Sequence, residues 1–275
     1  MAVPAYATPA ERAWYYIHRV ICGLVLLFLI APILVVMPLS FNAEPYFSFP
    51  LPGLSLRWYE DFFTNDRWTL ALKNSMVVAA AVTILATSLG TLAALGMSRA
   101  RFWGRDVVMS LLISPMVVPL IISAVGMYFF YTQIRFSNSL PGLILAHTAL
   151  ATPFVVIVVT ATLSGFDHSL TRAGASLGAP PQTVFFKVIL PLILPGVVSG
   201  ALFACVTSFD ESTVVLFLAG PEQRTLPKQM FSGIREVISP TITAAATLLI
   251  LFAITMLTTI ELLRRRSERL RGIRR

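Results

Sequence analysis

Long silences in the charge pattern dominate this chain. Asp, Glu, Lys and Arg are absent from 20–43, 74–98, 107–134, 136–166, 188–209 and 237–260, runs of 24, 25, 28, 31, 22 and 24 residues. A helix crossing a hydrocarbon core of about 30 Å needs about 20 apolar residues. Every run is long enough, and only helices or closed barrels satisfy their backbones in lipid. The pattern therefore predicts an all-α integral membrane protein with six transmembrane helices. The first run, ending in Met37-Pro38-Leu39 and lacking a small-residue cleavage site, reads as a retained span and not a cleaved signal. The layout is a segment 1–19, a six-helix domain over 20–263 and a basic tail over 264–275.

Composition agrees. Of 275 residues, 56% are hydrophobic and 12% charged, against about 25% charged in a soluble domain. A soluble enzyme, a secreted disulfide scaffold and a disordered chain are excluded. The net charge of +8 is concentrated, since seven of 21 basic residues lie in the tail. A cationic stretch beside a span is an orientation and lipid-surface signal, so nucleic acid is not an expected partner and the lipid bilayer is. Six spans put both termini on one side. The segments sharing that side hold 14 Lys/Arg against 7 on the other, which assigns both termini to the cytoplasm of a bacterial inner membrane. The tail carries that vote, and Arg99, Arg101 and Arg105 in the short loop 99–106 agree with it. Cys22 and Cys205 sit inside apolar runs and read as small buried hydrophobes.

Between the spans, two segments hold the information. The outer loop has Pro45, Pro50, Pro52 and Gly53, then an amphipathic 56–63 whose aromatics beside charges suit a membrane interface better than a ligand contact. The segment 167–190 predicts two short amphipathic helices. Asp167 or Ser169 can cap the first, and Arg172, Ala173, Gly174 and Ala175 follow, with small residues on a close-packing face. Gly178 ends it and Pro180-Pro181 turns the chain. A second helix from about Gln182 places Val184, Phe185, Val188 and Ile189 on one stripe, before Leu190-Pro191. Such a pair suits docking of a soluble partner, or a connector lying on the bilayer.

Phe209 ends the fifth run, and Asp210 and Glu211 follow directly on it. An ionised acid at mid-bilayer costs about 2.5–3.5 kcal/mol, so it lines a cavity or finds a partner. One reading places an acid on a translocation path for a cation, with Phe209 as gate or stacking face. The other pairs the acids with Arg224, Lys228 or Arg235. Adjacent residues point about 100° apart on a helix, which gives the two acids different parts. His147 reads as bonded to a neighbouring helix, with a relay as the alternative; no catalytic triad and no metal-ligand spacing is visible.

The 167–190 loop resembles that of permease subunits in binding-protein-dependent ABC importers, with consensus E-A-A-x-x-x-G and then I-x-L-P. Leu177-Gly178-Ala179 and Val188-Ile189-Leu190-Pro191 match it. Leu54-Ser55-Leu56-Arg57-Trp58-Tyr59, Ser208-Phe209-Asp210-Glu211, Thr225-Leu226-Pro227 and 238–242 resemble the spermidine/putrescine type in particular. The resemblance implies a type I ABC importer permease fold and a cytoplasmic coupling helix. It also implies a second permease, two ATPase subunits and a periplasmic binding protein. ATP and Mg would then sit on the ATPase, with no cofactor in this chain, which has no G-x-x-x-x-G-K-[ST] loop. The chain would be a transport subunit, not an enzyme. One departure stands out: the family's Glu-Ala-Ala falls on Arg172-Ala173-Gly174. Either the ATPase carries a compensating acid, or this subunit is the less stringent half of a heterodimer. Alternatives to polyamine cargo are an amino-acid derivative, an opine-like compound, thiamine or iron. A transporter driven by an ion gradient would instead show paired half-helices, and the charge-free runs suggest none.

Overall fold

The computed structural model describes residues 8–99, 103–236 and 238–270. The chain is helical almost throughout, with a lone antiparallel bridge between Asn42 and Leu54 among the described residues. Helix α1 (Pro9–Leu39) starts within the expected N-terminal segment, because Thr8 and Glu11 form a capping box that stops the backbone fraying there. No residue of α1 is buried; it stands beside the bundle and touches only its last helix closely. Cys22 is consequently exposed, with its sulfur 3.5 Å from His18 Nε2, which corrects the expectation of a buried cysteine. Cys205 is half-buried.

Helices α2 (Arg57–Thr64) and α3 (Asp66–Arg99) follow. The amphipathic α2 lays Trp58 and Phe62 into the protein, so at least those two rings are tertiary anchors and not lipid anchors. Trp58 Nε1 donates to Asn42 O at 2.6 Å and holds the preceding loop on α2.

The third charge-free run is not one straight span. It breaks into α4 (Arg105–Val117) and α5 (Leu120–Gln133), bent by 101°. The cause is Pro119: the residue before proline is driven out of the helical region, and Val118 sits at φ −68°, ψ 133°. Five helices are long and apolar enough to cross a membrane, and six if this bent pair counts as one. Of the arginine-rich loop, residues 100–102 lie outside the described residues, as do 271–275 of the tail.

The centre of the bundle is α3, α6 (Leu140–Leu163) and α9 (Leu190–Asp210). Val155 of α6, fully buried, is wedged where Gly90 of α3 and Gly200 of α9 close on it. A Cβ on Gly90 would stand 2.7 Å from Val155 Cβ, and one on Gly196 would stand 2.1 Å from Thr162 Oγ1. In lipid, where apolar burial gives no net drive, such backbone proximity supplies the packing energy. At the end of α9, α10 (Thr213–Leu218) packs against α5, and α11 (Leu226–Glu236) against α3. Helix α12 (Thr241–Leu270) closes the bundle and continues into the basic tail, so the first residues of that tail are helical.

Candidate functional site: a coupling loop and an acidic helix end

Two constellations sit at opposite ends of α9. At its beginning are α7 (Ser169–Ser176) and α8 (Pro181–Val184). Asp167 starts α7: Oδ1 accepts from Ser169 N–H at 2.8 Å and Oδ2 from the Ser169 hydroxyl at 2.6 Å. Those two bonds hold the Asp167 carboxyl below the usual carboxylate range, with smaller help from Arg172 and His168. The helix ends in a Schellman turn. Gly178 N–H donates to Ala175 O at 3.0 Å and Ala179 N–H to Gly174 O at 3.1 Å. That turn puts Gly178 at φ +80°, a left-handed backbone that glycine adopts without strain.

The loop is a helical hairpin with an exposed tip. Gly174 lets α7 approach α8, where an added Cβ would lie 3.2 Å from Val184 Cγ2. Val184 and Ile189 are buried, and Phe185 and Val188 pack at the margin of the core. Arg172, Ala173 and Gly178 are exposed. So are Leu177 (87%) and Phe186 (63%), with Leu170 of α7 also exposed, large apolar side chains among small and polar residues.

The second helix differs from expectation, since it is not separate from the fifth span. From α8 the chain passes through a π-helical turn, Phe185–Ile189, directly into α9. Pro191 explains it. Proline lacks an N–H and its ring crowds the carbonyl four residues back, so the preceding turn widens. Accordingly Leu190 N–H bonds Phe185 O, five residues earlier. Leu190 is half-buried and Pro191 exposed.

At the other end the three candidate residues separate. Phe209 is buried and stacks on Phe252 of α12, with ring centroids 4.6 Å apart. With Phe62, Phe63, Met76 and Leu249 it lines an apolar cavity of about 170 Å³. Asp210 is exposed, and among the described residues its carboxylate has no hydrogen bond or ion pair. Glu211 is spent locally: Oε1 accepts from Val214 N–H at 2.9 Å and caps α10. The opposite end of α10 is held by Lys228, whose ammonium donates to the carbonyls of Val215 and Ala219. Arg224 donates to Gln229 Oε1 at 3.1 Å, and Arg235 lies over the Phe231 ring. None of these three cations pairs with Asp210 or Glu211.

Two contributors escaped the sequence reading. Asn74 Nδ2 donates to the carbonyls of Glu222 and Arg224 at 2.8 and 2.9 Å, and Ser75 Oγ accepts from Leu226 N–H at 2.8 Å. Both pin the loop after α10, and their only sequence signal is polar residues opening a charge-free run. His147 Nδ1 meets Ser208 Oγ at 3.1 Å, which ties α6 to α9 as the helix-bonded reading expected.

This geometry has known counterparts. Residues 86–271 match the model of the family described as binding-protein-dependent transport system inner membrane component. The chain belongs to that family. Its matched stretch takes in the 167–190 loop and the Asp210 end of α9. Among members, the spermidine/putrescine transport system permease protein PotC of Haemophilus influenzae is 32% identical over 254 residues, covering 92% of this chain and 98% of that one. The putrescine transport system permease protein PotI of Escherichia coli K12 is 33% identical over 230 residues, covering 81% and 82%. A bacterial ABC transporter that imports the acidic polysaccharide alginate shares the fold at 16% identity, with a TM-score of 0.73 over 94% of this chain and 99% of its own. The fold is that of a type I importer permease, and the chain is a multi-pass membrane transport component, not an enzyme.

Proposed function

We propose that this permease forms half of the translocation path for polyamines or related cationic amines. It works beside a second permease, takes cargo from a periplasmic binding protein and couples through 167–190 to two ATPase subunits that hold ATP and Mg. Both termini then face the cytoplasm, which puts Asp210 at the periplasmic end. Likeness to permeases named for spermidine and putrescine over most of the chain supports the cargo. The observation that carries the reading is Asp210, an exposed carboxylate without a protein counter-ion at the end of a membrane helix. At that depth a carboxylate faces water or a cation. Support for the coupling role comes from the exposed hairpin tip, with Leu177 and Phe186 open to a soluble partner.

In a reconstituted importer, Asp210→Asn lowers uptake of putrescine strongly while ATP hydrolysis persists. Glu211→Gln acts more weakly, because an amide oxygen still accepts from Val214. Uptake equal to wild type in both variants overturns the cationic path. Abolition of ATP hydrolysis together with uptake would show a folding defect instead.

A further inference from the structure

At the end of the bundle that carries Asp210, α2, the start of α3, α11 and the start of α12 border a second, polar space of about 190 Å³. That is room for about six waters. Asp61 stands on its wall. Its Oδ2 accepts the Thr241 hydroxyl at 2.7 Å, Thr241 Oγ1 lies 2.9 Å from Ser239 Oγ, and Ser239 Oγ accepts Thr241 N–H at 3.2 Å. This relay fixes one carboxylate oxygen and leaves the other open. Among the described residues Asp61 makes no other side-chain hydrogen bond and no ion pair within 4.0 Å. Arg67 borders the same crevice without pairing to it.

Two features separate this from a dent in the surface. Gln229 lines it while only 7% exposed, with its oxygen held by Arg224, so the crevice reaches below the surface of the bundle. Trp68 and Ile242 add buried apolar walls. The crevice also adjoins the aromatic cavity, since Asp61 lines one and Phe62 the other, and α12 contributes to both.

We propose that the crevice is a subsite for a primary ammonium group, with the open oxygen of Asp61 as its counter-ion. An ammonium presents three donors and no acceptor. The crevice answers with an oriented carboxylate and the hydroxyl oxygens of Ser239 and Thr241, while the indole wall accommodates methylenes. A half-buried carboxylate without a paired cation disfavours an anionic cargo and gains most from a positive one. The site lies on α2, apart from Asp210 on α9. It receives the cation after release from the binding protein, and so it rests on the cationic cargo of the previous section.

The test uses the complete importer in proteoliposomes, with putrescine-loaded binding protein varied. Asp61→Asn lowers maximal uptake about ten-fold, the size of one charged hydrogen bond. The loaded binding-protein concentration at half-maximal uptake and the cargo-free ATPase rate stay unchanged. Thr241→Val keeps the carboxylate, loses its tether and retains most uptake. Three results overturn the subsite: wild-type uptake in Asp61→Asn, an equal loss in Thr241→Val, or a raised half-saturating concentration at unchanged maximum. The second would make Asp61 a structural tie, and the third a docking contact. A wild-type importer that carries no polyamine sinks the cargo reading itself and the subsite with it, and this is visible before any variant is compared.

Discussion

Gly178 offers a clean test of the proposed coupling role of 167–190, because an alanine there changes backbone energy without a clash inside the chain. A Cβ at this position meets no atom within 4 Å, so Gly178→Ala creates no clash inside the chain. Its cost is conformational: at φ +80° an L-residue is strained by about 1–2 kcal/mol. That strain weighs on the two bonds closing α7, Gly178 N–H to Ala175 O and Ala179 N–H to Gly174 O. With a tenfold change for every 1.4 kcal/mol, the closed turn loses roughly 5–30-fold in population against frayed forms. An eight-residue helix has little propensity of its own with which to resist. The assay is cargo moved per ATP hydrolysed in proteoliposomes. Gly178→Ala should lower that ratio several-fold, while Gly178→Asn, which tolerates the left-handed region, should stay near wild type. Gly178→Trp adds bulk at the exposed tip and should uncouple more than Ala without affecting membrane insertion. If Asn is as damaging as Ala, the partner reads the absence of a side chain and the backbone argument fails. Normal coupling in all three variants removes the docking assignment altogether.

Two further outcomes follow from packing. Gly196→Ala forces α6 and α9 apart, because its Cβ falls 2.1 Å from Thr162 Oγ1 and 2.7 Å from Thr162 Cβ; a loss of about 1–3 kcal/mol should appear as a lower unfolding temperature in detergent. Adding Thr162→Ala should recover part of it, and strictly additive losses would falsify the contact. Asn74→Leu leaves the carbonyls of Glu222 and Arg224 without their donor, at about 0.5–1.5 kcal/mol for each part-buried hydrogen bond. The expected readout is faster proteolysis within 220–226, and unaltered cleavage would show that Ser75 alone suffices.

The charge-free runs made most of the fold legible, since lipid admits so few alternatives for an uncharged stretch of 22 residues or more. What they could not convey was shape. Residues 107–134 carry no charge throughout, yet Pro119 folds them back by 101°. A hydropathy count is blind to that, although the proline itself was on view. Pro191 behaves alike: its presence disclosed a helix boundary, whereas the structure uses it to widen a turn and keep the helix running. The α7–α8 hairpin was readable because its signals are local, a glycine at a helix end and a small-residue face. Asp61 and Gln229 were not, because only tertiary contact puts α2, α11 and α12 around one crevice. Asp210 and Glu211 were expected to play different parts, but which part falls to which depends on whether the chain turns back to offer an N–H, as Val214 does to Glu211.

The continuity of α8, the π turn and α9 bears on how the two ends communicate. Leu190 to Asp210 is 21 residues, about 30 Å of helix. The closest contacts with α6 come at Gly196 and Gly200, six and ten residues along it. Those contacts are backbone-close and cannot slide without overlap, so α9 and α6 tilt about them and do not shear. The arms from Gly200 to either end are then about 15 Å each. A displacement imposed at Leu190 would therefore reach Asp210 at about its original size and in the opposite sense. His147 and Ser208 keep α6 and α9 joined at the far arm, two residues from Asp210. The π turn, with its widened hydrogen bond, is the soft element at the near arm. Motion at the loop thus divides between flexing at Phe185–Ile189 and tilting of the pair. Stiffness of that one turn sets how much of the stroke reaches the acid.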